Sequence, residues 1–151
     1  EMCIRDRIEE CVFSHCRFLR SVTFAARSTL RVIGTGAFEW TALEELVTPA
    51  SLREICAEAF NGCKRLRTVR LNEGLEMLGT DVEMFSGRKR CGVFQGSGLE
   101  RIWVPRTLQV IGKATFRNCV SLSEIHAAGS SANVLAGHVD QRVQVISDGD
   151  E

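Results

Sequence analysis

The stretch AFNGCKRLRTVRL, residues 59–71, decides the fold. Reading on from Phe60, the apolar anchors fall at Leu66, Val69, Leu75 and Leu78, in steps of 6, 3, 6 and 3. Working backward, the same comb starts at Phe38, with Leu43, Leu46, Leu52 and Ile55, and Phe60 itself follows five residues later. Working forward, it starts at Phe94, with Leu99, Ile102, Leu108 and Ile111, and Phe116 again follows by five. Phe13, Phe38, Phe60, Phe94 and Phe116 are thus separated by 25, 22, 34 and 22 residues, which defines a unit of about 23. A period of this size governs the whole architecture and takes precedence over any single helix or strand assignment. Two intervals are irregular: two extra residues lie between Val22 and Leu30, and the usual five between Leu78 and Phe94 becomes sixteen.

Each unit reads as two short strands joined by turns, because anchors three residues apart are too closely bounded to sustain a soluble helix. The first piece is L-x-x-I-x-I, as in LRTVRL (66–71) and LERIWV (99–104), with side chains suited to a half-buried pleated surface. Pro49 and Pro105, lacking an amide donor, sit where such a piece ends. The second piece is L-x-x-I, as in LRVIG (30–34) and LQVIG (108–112), with Gly34, Gly79 and Gly112 expected at turns. One unit cannot bury its own apolar face. Stacked units can, with equivalent strands about 4.8 Å apart and the anchors in continuous columns. The expected fold is a repeat solenoid of about five units, mainly short β-strands and turns, in a right-handed coil.

At this level the chain resembles the BspA-like, or treponemal-class, leucine-rich repeat family. Ile33 to Phe38 (IGTGAF), residues 59–71, TFRNCVSLSEI (115–125) and the G-L variant GVFQGSGLERIWVP (92–105) carry the resemblance, which spans residues 8–127. Cys56 stands at the usual Gly, and Val12, Val93 and Thr115 stand at the usual Ala. The resemblance implies protein binding, including adhesion and host contact where such proteins are displayed on cell surfaces.

Composition narrows the functional classes. Of 151 residues, 44% are hydrophobic and 25% charged, an ordinary balance for a packed domain. Nineteen basic residues cancel nineteen acidic ones, which argues against a nucleic-acid binder built on counterion release and against a polybasic membrane anchor. No apolar run reaches the length of a membrane span. The chain does not begin with Met and is expected to be a fragment, with residues 1–7 a non-native or disordered leader. No G-x-S-x-G, P-loop or H-E-x-x-H motif is present, so no catalytic residue or cofactor is expected.

Seven cysteines raise the question of a metal. Yet Cys16, Cys63 and Cys119 each lie three residues after a repeat Phe, one structural position in which a small thiol packs into a turn. No C-x-x-C occurs, only three histidines are available, and no metal site is expected. Cys11 and Cys56 fall at other repeat turns, and Cys91 lies in the insertion. The odd thiol count and the missing signal sequence favour an intracellular scaffold; a secreted or cell-surface adhesin binding host proteins or glycans is the alternative.

Binding is the remaining class. Residues between the buried anchors of L-x-x-I-x-I face outward and align along the stack. One expected row is Thr23, Val47, Arg70, Trp103 and His126; its neighbour is Ser21, Glu45, Thr68, Arg101 and Glu124. Because Trp and Arg dominate the energetic centres of interfaces, Glu45, Arg70, Arg101, Trp103, Glu124 and His126 are the candidate partner-binding residues. A second candidate is the insertion 80–93, where Met84 and Phe85 precede the basic run Arg88, Lys89 and Arg90. The expected protein is a non-catalytic, monomeric module that binds a protein partner. Residues 128–151 are expected to form a C-terminal cap, with a loop over 129–137, an edge strand from RVQVI (142–146) and a frayed end over 147–151.

Overall fold

The computed structural model describes residues 6–79 and 92–148. Two columns of parallel strands run the length of the stack, built from the two apolar pieces of each unit. The L-x-x-I pieces supply β1 (Arg7–Ile8), β2 (Val32–Ile33), β4 (Glu54–Ile55), β6 (Met77–Leu78) and β8 (Val110–Ile111), hydrogen-bonded in that order. The L-x-x-I-x-I pieces supply β3 (Glu45–Val47), β5 (Thr68–Arg70), β7 (Arg101–Val104) and β9 (Glu124–Ala128), and β10 (Gln144–Asp148) closes this second sheet. Apart from the end pairs β1–β2 and β9–β10, each sheet takes every second strand in chain order, the topology of a solenoid. The register is set by the repeat: Ile33, Ile55, Leu78 and Ile111 are aligned in one sheet, and Leu46, Val69, Ile102 and Ile125 in the other.

Between the sheets runs a column of five phenylalanines. Phe13, Phe38, Phe60, Phe94 and Phe116 stack with centroid separations of 5.1, 5.4, 5.6 and 6.2 Å and interplanar angles of 14°, 2°, 15° and 8°. Separations above the strand spacing mean that the rings are offset, the arrangement their quadrupoles favour. Phe38, Phe60 and Phe94 are fully buried, whereas Phe13, on the first turn, is partly exposed.

The backbone beside this column is equally regular. The second residue after each Phe has a left-handed φ: His15 60°, Trp40 55°, Gly62 70°, Gly96 66° and Asn118 59°. Gly and Asn adopt this conformation readily. His15 and Trp40 occupy it at a cost of about 1–2 kcal/mol each, offset by the packing of the turn that holds them. Gly79 also has a positive φ, of 72°. Gly34 serves differently from the expected turn role: a Cβ there would lie 2.6 Å from the Ile8 carbonyl oxygen, so its lack of a side chain lets two turns approach.

The ends depart from the sequence reading at three points. Arg7, assigned to the leader, is paired with Val32 in β1, because the ladder on β2 extends one residue past the first anchor, Ile8. Within 129–137, read as a loop, Ser131–Leu135 forms a short helix, α1, with Leu135 buried. It places Leu135 over the last turn, where no further repeat supplies anchors. The strand from RVQVI continues to Asp148, since Ser147 and Asp148 pair with Ala127 and Ala128 of β9; the chain over 147–148 is therefore a ladder and not a frayed end. At the other end of this sheet, residues 20–26 form no strand. The Arg20 carbonyl still accepts from the Glu44 N–H at 3.2 Å, and beyond it residues 21–26 line a groove of about 390 Å³ beside Glu45 and Val47.

Replacing Phe60 with Ala removes the middle of the aromatic column and is expected to lower the unfolding free energy by about 3–5 kcal/mol in chemical denaturation. Replacing Phe18, which is 94% exposed, with Ser should change it by less than about 0.5 kcal/mol. A Phe60→Ala loss below about 1 kcal/mol would mean that the column is not a structural axis.

Candidate functional site: the outward face of the longer strands

The candidate face is laid out by the pairing of β3, β5, β7, β9 and β10. Glu45, Thr68, Arg101, Glu124 and Gln144 are register partners in sequence across the five strands, and Val47, Arg70, Trp103, His126 and Ile146 form the second row. Both expected rows hold from β3 onward. Their first members, Ser21 and Thr23, lie in the segment that forms no strand, where the two-residue expansion before Leu30 interrupts the comb.

Within the second row three planar groups are layered. The Arg70 guanidinium carbon lies 3.9 Å from the Trp103 ring centroid, and the His126 ring covers the opposite face at 4.8 Å and 7°. A parallel sheet produces this layering because residues in register stand one strand spacing apart, close to the thickness of stacked π-systems. The cation on the indole face contributes about 0.5–1 kcal/mol at an exposed site. His126 Nε2 lies 3.2 Å from Glu124 Oε2, two residues away on the same strand face. The arrangement holds Trp103 half-buried between the Arg70 guanidinium and the His126 ring.

Of the six candidate residues, Arg70, Trp103, His126 and Glu124 are joined in one contiguous assembly. Arg101 is exposed beside it, between Thr68 and Glu124. Glu45 lies on the edge strand β3, separated from Arg101 by Thr68, and belongs to the rim. Met84, Phe85, Arg88, Lys89 and Arg90 of the insertion lie outside the described residues.

A second aromatic layer lies on the Phe-bearing turns and was missed in the sequence. His15 stacks on Trp40 at 6.3 Å, and Lys64 Nζ lies 5.7 Å from the Trp40 centroid. The available signal was that both aromatic groups follow a repeat Phe by two residues. Their side chains fan along the stack because that position is left-handed in every unit.

The turn cysteines are structural. Cys63 Sγ donates to the Phe38 carbonyl at 3.1 Å and lies 3.4 Å from Thr41 Oγ1; Cys119 Sγ donates to the Phe94 carbonyl at 3.0 Å and lies 3.5 Å from Ser97 Oγ. Thr41 and Ser97 occupy the same third position after Phe, so thiol and hydroxyl alternate along one ladder. Burial raises both thiol pKa values above their ordinary range, opposed in part by the Thr41 and Ser97 hydrogen bonds. Cys16 departs from the expected burial and is exposed, because it lies on the first turn and no earlier turn among the described residues covers it. Among the described residues no cluster of His, Cys, Asp and Glu is arranged to hold a metal ion. No helix among them is long and apolar enough to cross a membrane.

The family model described as "BspA type Leucine rich repeat region (6 copies)" matches residues 5–89 and 90–136. No curated protein matches the chain. Among solved structures, the crystal structure of a T. pallidum leucine-rich repeat protein superposes with a TM-score of 0.68 at 22% identity, over 94% of this chain and 62% of that one. The chain therefore spans about three fifths of the length of that structure. A leucine-rich repeat protein from Bacteroides ovatus aligns at 13% identity with a TM-score of 0.33, over 96% of this chain and 52% of that one.

Iodoacetamide labelling of the folded protein at neutral pH, read by peptide mass spectrometry, is expected to modify Cys16 well before Cys63. The raised thiol pKa values favour the folded state while the thiols are neutral. This contribution is complete at neutral pH and is lost as pH climbs above about 8.5, the ordinary thiol range, toward the folded values. The unfolding midpoint should accordingly hold steady between about pH 6 and 8 and fall at higher pH. Equal labelling rates for Cys16 and Cys63 would overturn this assignment.

Proposed function

Because the chain belongs to the BspA-type leucine-rich repeat family, whose repeats generally serve as scaffolds for protein interaction, we propose that it is a non-catalytic module that binds a protein partner across the outward face of β3, β5, β7, β9 and β10. The observation that carries this reading is the Arg70–Trp103–His126 stack. A half-buried Trp held between two planar groups loses little side-chain entropy when a partner covers it. Trp and Arg are also the residues that contribute most at interface centres. Arg101, Glu124 and Glu45 form a charged surround that orients a partner and selects against mismatched charge. No step of this function requires a cofactor. Residues 8–127, with the insertion at 80–93, are assigned to the repeats and residues 128–151 to the cap.

The test is selection of a random dodecapeptide display library on the folded protein. Peptides recovered on the wild type are expected to lose at least about 30-fold in affinity for a Trp103→Ala/Arg70→Ala variant, as hot-spot truncation does. They should keep their affinity for Arg31→Ala, a change next to β2 of the other sheet. Thermal unfolding of each variant separates lost binding from lost fold, and Arg70→Ala alone provides a change at an exposed position. Recovered peptides that bind all variants equally would sink the proposal.

A further inference from the structure

Arg70 and Arg101 stand out on this face because neither is held in an ion pair with another described residue. Arg67, next to them, pairs with Glu100 at 3.7 Å and donates Nη1 to the Gly98 carbonyl at 3.0 Å. Among the described residues, Arg70 and Arg101 enter no ion pair, and the one contact of the Arg70 guanidinium is the Trp103 ring. That contact places the guanidinium over the indole, and no hydrogen bond to another described residue occupies its N–H groups. A guanidinium is the planar fork that accepts a carboxylate through two parallel hydrogen bonds. Arg101 lies diagonally across the strand pair, since Arg70 faces Trp103 and Thr68 faces Arg101. Diagonal neighbours are about 7–8 Å apart, within reach of two arginines converging on one extended segment. The two nearby carboxylates do not fill the role. Glu124, the register partner of Arg101, is engaged by His126 at 3.2 Å, and Glu45, diagonal to Arg70 on the edge strand, forms no ion pair with it.

The same geometry disfavours a sugar as occupant. A pyranose recognised by tryptophan lies flat on an open indole face, and both faces of Trp103 are covered, by Arg70 at 3.9 Å and by His126 at 4.8 Å. Only the ring edge is free to contact a ligand. We propose that this face takes an acidic peptide segment, whose carboxylates are bound by Arg70 and Arg101 on either side of the Trp103 edge. The inference rests on the strand face being the binding face and specifies the chemistry of its partner.

The probe is a fluorescein-labelled dodecapeptide of alternating Glu and Gly, compared by anisotropy with the same peptide carrying Ser in place of Glu. At low salt the acidic peptide is expected to bind at least about tenfold more tightly than the Ser peptide, and to weaken several-fold when the ionic strength is raised to about 0.5 M. Arg70→Gln and Arg101→Gln, both exposed and expected to fold normally, should each weaken it about tenfold, while Arg31→Gln leaves it unchanged. Equal binding of the acidic and Ser peptides, or no change in either arginine variant, overturns the inference. Library-selected peptides that depend on Trp103 but bind Arg70→Gln and Arg101→Gln as tightly as the wild type would overturn it while leaving the strand face as the binding face. Peptides indifferent to Trp103 and both arginines would overturn the two readings together.

Discussion

The five stacked phenylalanines are the constraint on which the rest of the structure depends. Each ring lies over its equivalent in the next turn, offset because centroid separations of 5.4 and 5.6 Å exceed the rise that the parallel ladders impose. Once that rise is held near one strand spacing, every other position in the repeat falls into register with its copies. Leucine and isoleucine columns close around the rings, short strands pair in parallel, and the Cys63 and Cys119 thiols reach the carbonyls of the preceding turn. The strand ladders are only two to five residues long, too short to be stable alone, and draw their stability from burial against this axis.

The same in-register geometry that builds the core also arranges the surface. Side chains pointing out from the longer strands are brought to one strand spacing from their counterparts, so unlike residues from distant parts of the chain become stacking partners. Arg70, Trp103 and His126, spread over three units, form one layered group for this reason. Inside the stack, identical residues meet and make a uniform core; outside it, different residues meet and make a particular surface. Function in such a molecule is carried by the departures from the repeat, and structure by its regularities.

Burial also separates cysteines that composition groups together. Cys63 and Cys119 donate into the backbone of the turn before them and resist ionisation, whereas Cys16, at the same repeat position on the first turn, is open to solvent. Position in the stack, not position in the repeat, decides which thiol is accessible. The left-handed turns carry a parallel lesson. Gly62 and Gly96 suit that conformation, while His15 and Trp40 hold it under strain and gain an aromatic contact on the outer edge of the turn.

Most of the architecture is legible in the sequence, because a 23-residue period with anchors at fixed steps admits one way to bury them. The two outward rows follow from that period and alternation alone: Glu45, Thr68, Arg101 and Glu124 in one, Val47, Arg70, Trp103 and His126 in the other. Register is set by the buried residues, and the exposed ones are carried with it. The orientation of rings and guanidinium groups within those rows is decided by tertiary structure, since it depends on which side chain the neighbouring strand presents at contact distance. Whether Glu124 compensates Arg101 or bonds His126 is likewise a matter of local geometry. The ends, too, lay beyond the pattern: α1, the reach of β10 to Asp148 and the pairing of Arg7 arise where the repeat stops supplying anchors and the chain covers its last turns with residues that carry no period.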